Sequence, residues 1–192
     1  TCDVANNAGA KVIRHKKNLG KGAALKTLFE YAKNIHADIM ITIDGDGQFL
    51  PEEIPKLIEP IEHSNYDIVI GYRFENNDEM PKYRKIGNKF LDKITNIASD
   101  LPYRDTQSGF RSYSNKAINA ISFSSNGFGA DSEILISAAT NSLNVDEVKI
   151  TVIYKTGNST STKNPISHSI SVIYSLLEVI VLKRPLGYIG IP

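Results

Sequence analysis

The sequence predicts an α/β fold in which a mostly parallel sheet is flanked by helices. Ile39–Ile43 is a continuous apolar run, which is typical of a strand buried on both faces of a parallel sheet, and Asp67–Gly71 is a second strand candidate of this kind. Ala23–Asn34 and Tyr83–Ser99 instead repeat their apolar residues at helical spacing. Strands that alternate with helices along a chain favour the α/β class.

The remaining elements follow the same alternation. Lys11–Arg14 is a short strand candidate, and the turn at Asn18–Gly22 separates it from the first amphipathic helix. A helix is expected to begin at Pro51, where Glu52 and Glu53 suit a first turn. The second half of the chain predicts a strand, a helix, a strand and an apolar helix, at Gly109–Tyr113, Ser132–Ala139, Val148–Tyr154 and residues 165–182.

One of these helices has a clear apolar face. In Tyr83–Ser99 the large apolar residues recur at intervals of three and four, and they are Ile86, Phe90, Ile94 and Ile97. This spacing predicts an amphipathic helix.

Composition excludes several classes of protein. The chain has 192 residues, of which 41% are hydrophobic and 22% charged, so it is neither disordered, nor collagen-like, nor a disulfide scaffold. The net charge of +1 gives no reason to expect nucleic acid as a partner. We see no signal peptide and no apolar run of about 18 residues, and we expect the sequence to be a fragment because both ends look cut.

Charge is distributed unevenly along the chain. Residues 11–26 hold six basic residues and no acid, residues 44–62 hold six carboxylates against one lysine, and residues 148–177 hold no carboxylate. Basic stretches on either side of an acidic one would suit a phosphate-rich ligand and a metal ion. Chance clustering on solvated surfaces is the alternative.

The strongest chemical signal is the acidic turn after the first buried strand. Ligands of open α/β sheets bind beyond the carboxyl ends of strands, where Asp44 and Asp46 stand. Two carboxylates one residue apart can reach one hard cation, and Gln48 can add an amide oxygen. A simple Asp-Gly turn is the alternative. An EF-hand is excluded, because Phe49 and Pro55 occupy the positions that need Gly and Glu.

Four motifs in order resemble the family 2 glycosyltransferases of the GT-A fold, and among them the dolichyl-phosphate mannose and glucose synthases. The resemblance runs from about Gly9 to Pro192. Each motif alone is weak, but their order and spacing are specific. They are Asn18-Leu-Gly-Lys-Gly-Ala-Ala-Leu25, Asp44-Gly-Asp-Gly-Gln48, Asp67-Ile-Val-Ile-Gly-Tyr-Arg73 and Asp105-Thr-Gln-Ser-Gly-Phe-Arg111.

The resemblance implies a role for each matching position. The Asp-x-Asp-x-Gln group would hold Mg²⁺ or Mn²⁺ on the diphosphate of a sugar nucleotide, and its members are Asp44, Asp46 and Gln48. Catalytic roles would fall to Asp46, Arg73 (facing the acceptor phosphate), Asp105, Arg111 and Glu133. Substrate-binding roles would fall to Asp44, Gly20, Lys21, Ser108, Gly109, Lys155, Ser159 and Lys163, the last three in a loop that closes over phosphates. Arg84 or Lys85 is a further candidate for the acceptor phosphate.

The implied reaction transfers a hexose from a nucleotide-diphosphate sugar to a polyprenyl (dolichyl) phosphate, with inversion. A lipid phosphate is already ionised near pH 7, so the reaction needs no strong general base, whereas cations must bring two phosphates together. An acceptor with a saccharide hydroxyl would need a base, and Asp131 is the candidate. A catalytically silent, membrane-associated domain is the third possibility.

The resemblance also predicts how the chain is organised. Residues 1–164 would form the GT-A domain without its first two strands, so the isolated chain is expected to be inactive. Residues 165–192 would form an apolar juxtamembrane helix, followed by Lys183-Arg184-Pro185 and the start of a membrane region. A core or dimer helix is the alternative. We therefore expect the protein at the cytoplasmic face of a membrane.

Overall fold

A computed structural model describes residues 1–73, 82–99, 102–127 and 129–153, with backbone alone for residues 82–88 and 98. The predictions for Lys155, Ser159, Lys163 and the segment 165–192 lie outside the described residues, as do the side chains of Arg84 and Lys85. The helices are α1 (Cys2–Asn7), α2 (Lys21–Asn34), α3 (Ile54–Ser64, after a 3-10 turn at Pro51–Glu53), α4 (Lys82–Ser99), α5 (Asn115–Ala120) and α6 (Ala130–Thr140). The strands are β1 (Ile39–Thr42), β2 (Ile68–Tyr72), β3 (Arg111–Ser114) and β4 (Val145–Lys149).

The described strands form one mixed sheet in the order β1-β3-β2-β4. β2 pairs with β4 in parallel, whereas β3 lies antiparallel between β1 and β2. Three strands therefore share one direction, and the predicted α/β sheet with flanking helices is confirmed. The carboxyl ends of β1, β2 and β4 meet the amino end of β3 at one edge of the sheet.

Within the described part of the chain, two apolar clusters hold this sheet between its helices. The larger cluster joins α2, α5 and α6 to the sheet, with Phe29 packed edge-on against Tyr113 at a centroid distance of 5.0 Å. The smaller cluster contains Phe49, Leu57, Phe110 and Ile150. All five residues of β2 are buried, as expected of a central strand whose two faces are both covered.

Two strand predictions are wrong: one strand does not form, and another lies at a different position. Residues 11–14 form no strand; this segment runs along α2, where Lys11 Nζ donates to Tyr31 Oη at 3.0 Å and His15 Nε2 lies 2.8 Å from Thr27 Oγ1. The last predicted strand begins earlier, at Val145, and Val152 makes only an isolated bridge to Phe49.

The buried face of the helix α4 is unusually polar. Leu91, Asp92, Thr95 and Ser99 are buried, while Phe90 and Ile97 of the predicted apolar face are exposed. Hydrogen bonds explain the polar inner face, since Thr95 Oγ1 donates to Ser132 Oγ of α6 at 3.0 Å. Among the described residues, no helix is both long and apolar enough to cross a membrane.

Candidate active site

The candidate site lies at the sheet edge where three strands end and β3 begins. Thr42, the last residue of β1, donates through Oγ1 to Gly109 O at 3.0 Å, which ties the acidic turn to the segment preceding β3. A side chain at position 109 would collide with the Asp44 carboxylate and the Lys21 ammonium. Glycine at position 109 thus allows these charged groups to approach the backbone closely.

A partly buried ionic cluster joins α2, the acidic turn and α6. The Nζ atom of Lys21 lies 3.0 Å from Asp131 Oδ2 and 3.5 Å from Asp44 Oδ1. Burial alone would lower the pKa of Lys21, but the two carboxylates outweigh burial and raise that pKa. Lys21 is therefore charged at neutral pH and held between a predicted metal ligand and the carboxylate of Asp131.

The acidic turn presents Asp46 and Gln48 beside Asp44. Asp46 Oδ1 accepts a hydrogen bond from the backbone N–H of Gln48 at 3.0 Å, and Gly47 adopts a positive φ of 77°. The described residues contain no group of three or more His, Cys, Asp or Glu side chains that could hold a metal. Two carboxylates and an amide oxygen nevertheless fit Mg²⁺ or Mn²⁺, since Mg²⁺ commonly takes one or two carboxylates and completes its shell with substrate phosphates and water.

A second ion pair lies at the end of β2. Arg73 donates from Nε to Asp105 Oδ2 at 2.6 Å and from Nη2 to Asp105 Oδ1 at 2.7 Å, a two-point arrangement that fixes the guanidinium plane. Asp105 is fully buried. The backbone N–H groups of Arg104 and Asp105 donate to Glu147 Oε1 of β4, so the pair is anchored to the sheet.

Two of the predicted site residues, the catalytic candidate Arg111 and the substrate-binding candidate Ser108, lie below this surface. Arg111 is fully buried and donates to the carbonyl oxygens of Ser108, Asp131 and Thr106 at 2.9, 3.0 and 2.7 Å. Ser108 is also fully buried. This placement favours a positioning role for Arg111, which holds the segment 105–111 against α6.

Glu133 of α6 and Gly20, which directly precedes α2, contact a neighbouring loop at residues 124–126. Glu133 Oε2 accepts hydrogen bonds from the backbone N–H groups of Ser124 and Ser125 at 2.7 and 3.2 Å, and from Ser124 Oγ at 3.1 Å. A side chain at Gly20 would collide with the carbonyl group of Asn126. Both residues pack residues 124–126 against the start of α2, and their catalytic and binding roles stay predictions.

Sequence reasoning missed a carboxylate behind the site. Asp92 Oδ1 accepts from the backbone N–H and the Oγ1 of Thr106 at 2.8 and 2.7 Å. Burial raises the pKa of Asp92 to about 6, against the effect of the Thr106 hydrogen bonds. The available signal was that Asp92 is the single acid of an otherwise basic helix. Glu147 was missed as well, and nothing local in the sequence marks it.

Comparison with known proteins identifies the family. The sequence model of the protein family "Glycosyl transferase family 2" matches residues 2–122. The chain belongs to glycosyltransferase family 2. A UDP-N-acetylglucosamine–dolichyl-phosphate N-acetylglucosaminyltransferase of Methanococcus voltae is 38% identical over 147 residues, which are 74% of this chain and 59% of that protein. A dolichol-phosphate mannosyltransferase of Pyrococcus furiosus is 33% identical over 141 residues, 70% of this chain and 38% of that protein.

The fold also resembles that of a solved enzyme structure. Glucosyl-3-phosphoglycerate synthase of Mycobacterium tuberculosis, crystallised with Mn²⁺, UDP-glucose and phosphoglyceric acid, superposes with a TM-score of 0.66 at 18% identity, covering 98% of this chain and 64% of that one. At this identity the likeness concerns the fold. The chain spans about three fifths of the length of the Methanococcus relative.

Proposed function

We propose that the protein transfers a sugar from a nucleotide diphosphate to a polyprenyl phosphate in a metal-dependent reaction that inverts the anomeric carbon. The observation that carries this proposal is the position of Asp44: it follows β1, shares its turn with Asp46 and Gln48, and contacts Lys21. Family membership and the names of the dolichyl-phosphate relatives support it.

Asp44, Asp46 and Gln48 would hold Mg²⁺ or Mn²⁺. The bound cation would neutralise the charge that develops on the diphosphate as it leaves, so a general acid is not needed. Lys21 adds a fixed positive charge beside Asp44 and restrains the orientation of that carboxylate. The carboxylates follow β1 and Lys21 begins α2, so two regular elements support the leaving-group side of the site.

The acceptor side is proposed to lie around Arg73. Its guanidinium is oriented by the fully buried Asp105, and a planar guanidinium suits recognition of a phosphate. Asp105 in this arrangement acts as a positioning residue for Arg73.

The state of Asp131 favours a phosphate acceptor over a saccharide hydroxyl. A hydroxyl acceptor requires a carboxylate that is available to take its proton. Asp131 is 4% exposed and its Oδ2 is bound to the Lys21 ammonium at 3.0 Å. The one base that sequence analysis offered is therefore engaged in an ion pair.

A transfer assay with the full-length protein tests the proposal. Dolichyl phosphate and Mn²⁺ are supplied with radiolabelled UDP-N-acetylglucosamine, UDP-glucose or GDP-mannose, and label in the lipid phase is counted. Transfer with at least one donor is expected, together with loss of transfer in Asp46→Asn but not in Asp38→Asn, an exposed carboxylate just before β1. Label in an oligosaccharide acceptor but not in the lipid would support the hydroxyl-acceptor alternative. Absence of transfer with every donor and acceptor would support a silent domain.

A further inference from the structure

We propose that the outer face of α4 docks on an anionic membrane surface. This face consists of Lys89, Phe90, Lys93 and Ile97, and it is called the α4 face below. The proposal deepens the proposed function, because a polyprenyl phosphate resides in a bilayer.

The apolar residues of the α4 face are exposed although they have the spacing of a core-facing stripe. Phe90 and Ile97 are seven residues apart, about two turns, and therefore lie on the same side of the helix. They are 50% and 45% exposed. The opposite side of α4 provides the contacts with the domain, through Leu91, Thr95 and Ser99. The α4 face is thus not needed to attach α4 to the sheet.

The charge on α4 determines which partner is complementary. The helix sequence contains Lys82, Arg84, Lys85, Lys89 and Lys93, and its only carboxylate is Asp92. Asp92 is 7% exposed and accepts hydrogen bonds from Thr106, so it does not offset the lysines at the surface. A basic helix with exposed aromatic and aliphatic residues has the composition of helices that lie in the membrane interface.

A shallow groove next to the α4 face extends the same chemistry. It has a volume of about 670 Å³, and its lining includes Lys89, Lys93 and Arg104 together with the apolar Ile97 and Pro102. Among the described lining residues, three cations stand against the single carboxylate of Asp92, which gives a positive balance. Anionic headgroups beside acyl chains match such a surface.

The chain's own apolar stretch is a poorer match for the α4 face. Residues 165–182 contain one carboxylate, Glu178, so they offer little charge to pair with the lysines. An anionic bilayer offers negatively charged headgroups to the lysines and acyl chains to the apolar side chains. We therefore commit to lipid as the partner.

Tryptophan fluorescence gives a direct test, because the chain contains no tryptophan. Phe90→Trp in the full-length protein adds a fluorophore on the α4 face, read as the difference from the spectrum of the unsubstituted protein, and Leu28→Trp, at an exposed position on α2, is the matched control. Vesicles contain phosphatidylcholine with or without about one third phosphatidylglycerol, and a parallel set carries brominated acyl chains. We expect a blue shift and bromine quenching for Phe90→Trp on anionic vesicles, and neither for Leu28→Trp.

Charge reversal provides the second measurement. Lys89→Glu/Lys93→Glu should weaken binding to the anionic vesicles by about 30-fold or more, since each lysine near such a surface contributes roughly fivefold. Lys16→Glu/Lys17→Glu makes the same change in net charge at exposed positions and should have a much smaller effect.

Three results would overturn the proposal. These are equal weakening by the two double variants, an unshifted Phe90→Trp spectrum while the protein is bound to vesicles, and a lipid-independent blue shift that grows with protein concentration. The last result would indicate a second copy of the chain as the partner. Vesicle binding needs neither donor nor metal, so failure of transfer with intact binding counts against the proposed function alone.

Discussion

The Lys21 ammonium bridges Asp131 of α6 and Asp44 of the acidic turn, at 3.0 and 3.5 Å. This ion pair connects residues 110 positions apart in the sequence and fixes the carboxylate that we assign to the metal. Lys21→Met leaves Asp131 buried without its partner and should lower the free energy of unfolding by about 3 kcal/mol. Lys21→Met/Asp131→Leu should recover much of that loss.

Urea unfolding of the two single variants and the double variant measures this coupling. Lys33→Met, which breaks the partly exposed pair with Glu30, is the control and should change stability by less than about 1 kcal/mol. Additive effects at positions 21 and 131 would show that the Lys21–Asp131 pair does not stabilise the fold.

Arg73→Lys tests the acceptor side of the site. Lysine cannot reproduce the two-point contact with Asp105, so the cation is no longer oriented. We expect kcat/KM for polyprenyl phosphate to fall about 10- to 100-fold, as for one or two charge-assisted hydrogen bonds, while KM for the nucleotide sugar changes little. Steady-state kinetics with Arg14→Lys as the control checks this; an equal rise in both KM values would contradict it.

Asp92→Asn should reveal the cost of a buried carboxylate. The pKa of Asp92 is about 6 in the folded protein against 3.8 for the ordinary side chain, so the folded state binds a proton more tightly. The contribution of Asp92 to stability is therefore greatest below about pH 4, is lost as pH rises toward 6, and stays lost above it.

The variant should consequently gain stability relative to the wild type as pH rises. Two pKa units correspond to about 3 kcal/mol, which is the expected upper limit of the gain at pH 8, while Asn Oδ1 can still accept from Thr106. Unfolding measured at pH 4, 6 and 8, with Asp38→Asn alongside, gives the comparison. A difference between variant and wild type that does not depend on pH would refute the raised pKa.

Arg111→Met separates positioning from catalysis. The substitution leaves three carbonyl oxygens in the buried segment 105–111 and α6 without their donor, so a loss of about 3–5 kcal/mol in the free energy of unfolding is expected. Arg14→Met, at an exposed position, should be nearly neutral. Unchanged stability with abolished transfer would instead indicate a catalytic role for Arg111.

Local pattern was enough to predict much of this fold. The apolar run at Ile39–Ile43 and the turn after it predicted β1 and the place of Asp44, because a buried strand and an acidic turn each leave a mark within a few residues. The strand predicted at residues 11–14 was wrong, because a short apolar run becomes a strand only beside a hydrogen-bonding neighbour strand. Here the segment contacts α2 instead.

The sequence alone could not predict which side chains pair across long separations in the chain. Arg73 and Asp105 are 32 residues apart, and Glu147 reaches Arg104 across 43. Periodicity also showed that α4 has an apolar face, but it could not show that hydrogen bonds of Asp92 and Thr95 would turn the opposite face inward.

The most direct test of the central claim is calorimetric titration of UDP and GDP into the full-length protein, with Mn²⁺ and with EDTA. We predict that one nucleotide binds with Mn²⁺ and that its affinity falls about tenfold or more in EDTA and in Asp46→Asn, but not in Asp38→Asn. Equal affinity with Mn²⁺ and EDTA, or unchanged affinity in Asp46→Asn, would contradict a metal-diphosphate site at the end of β1.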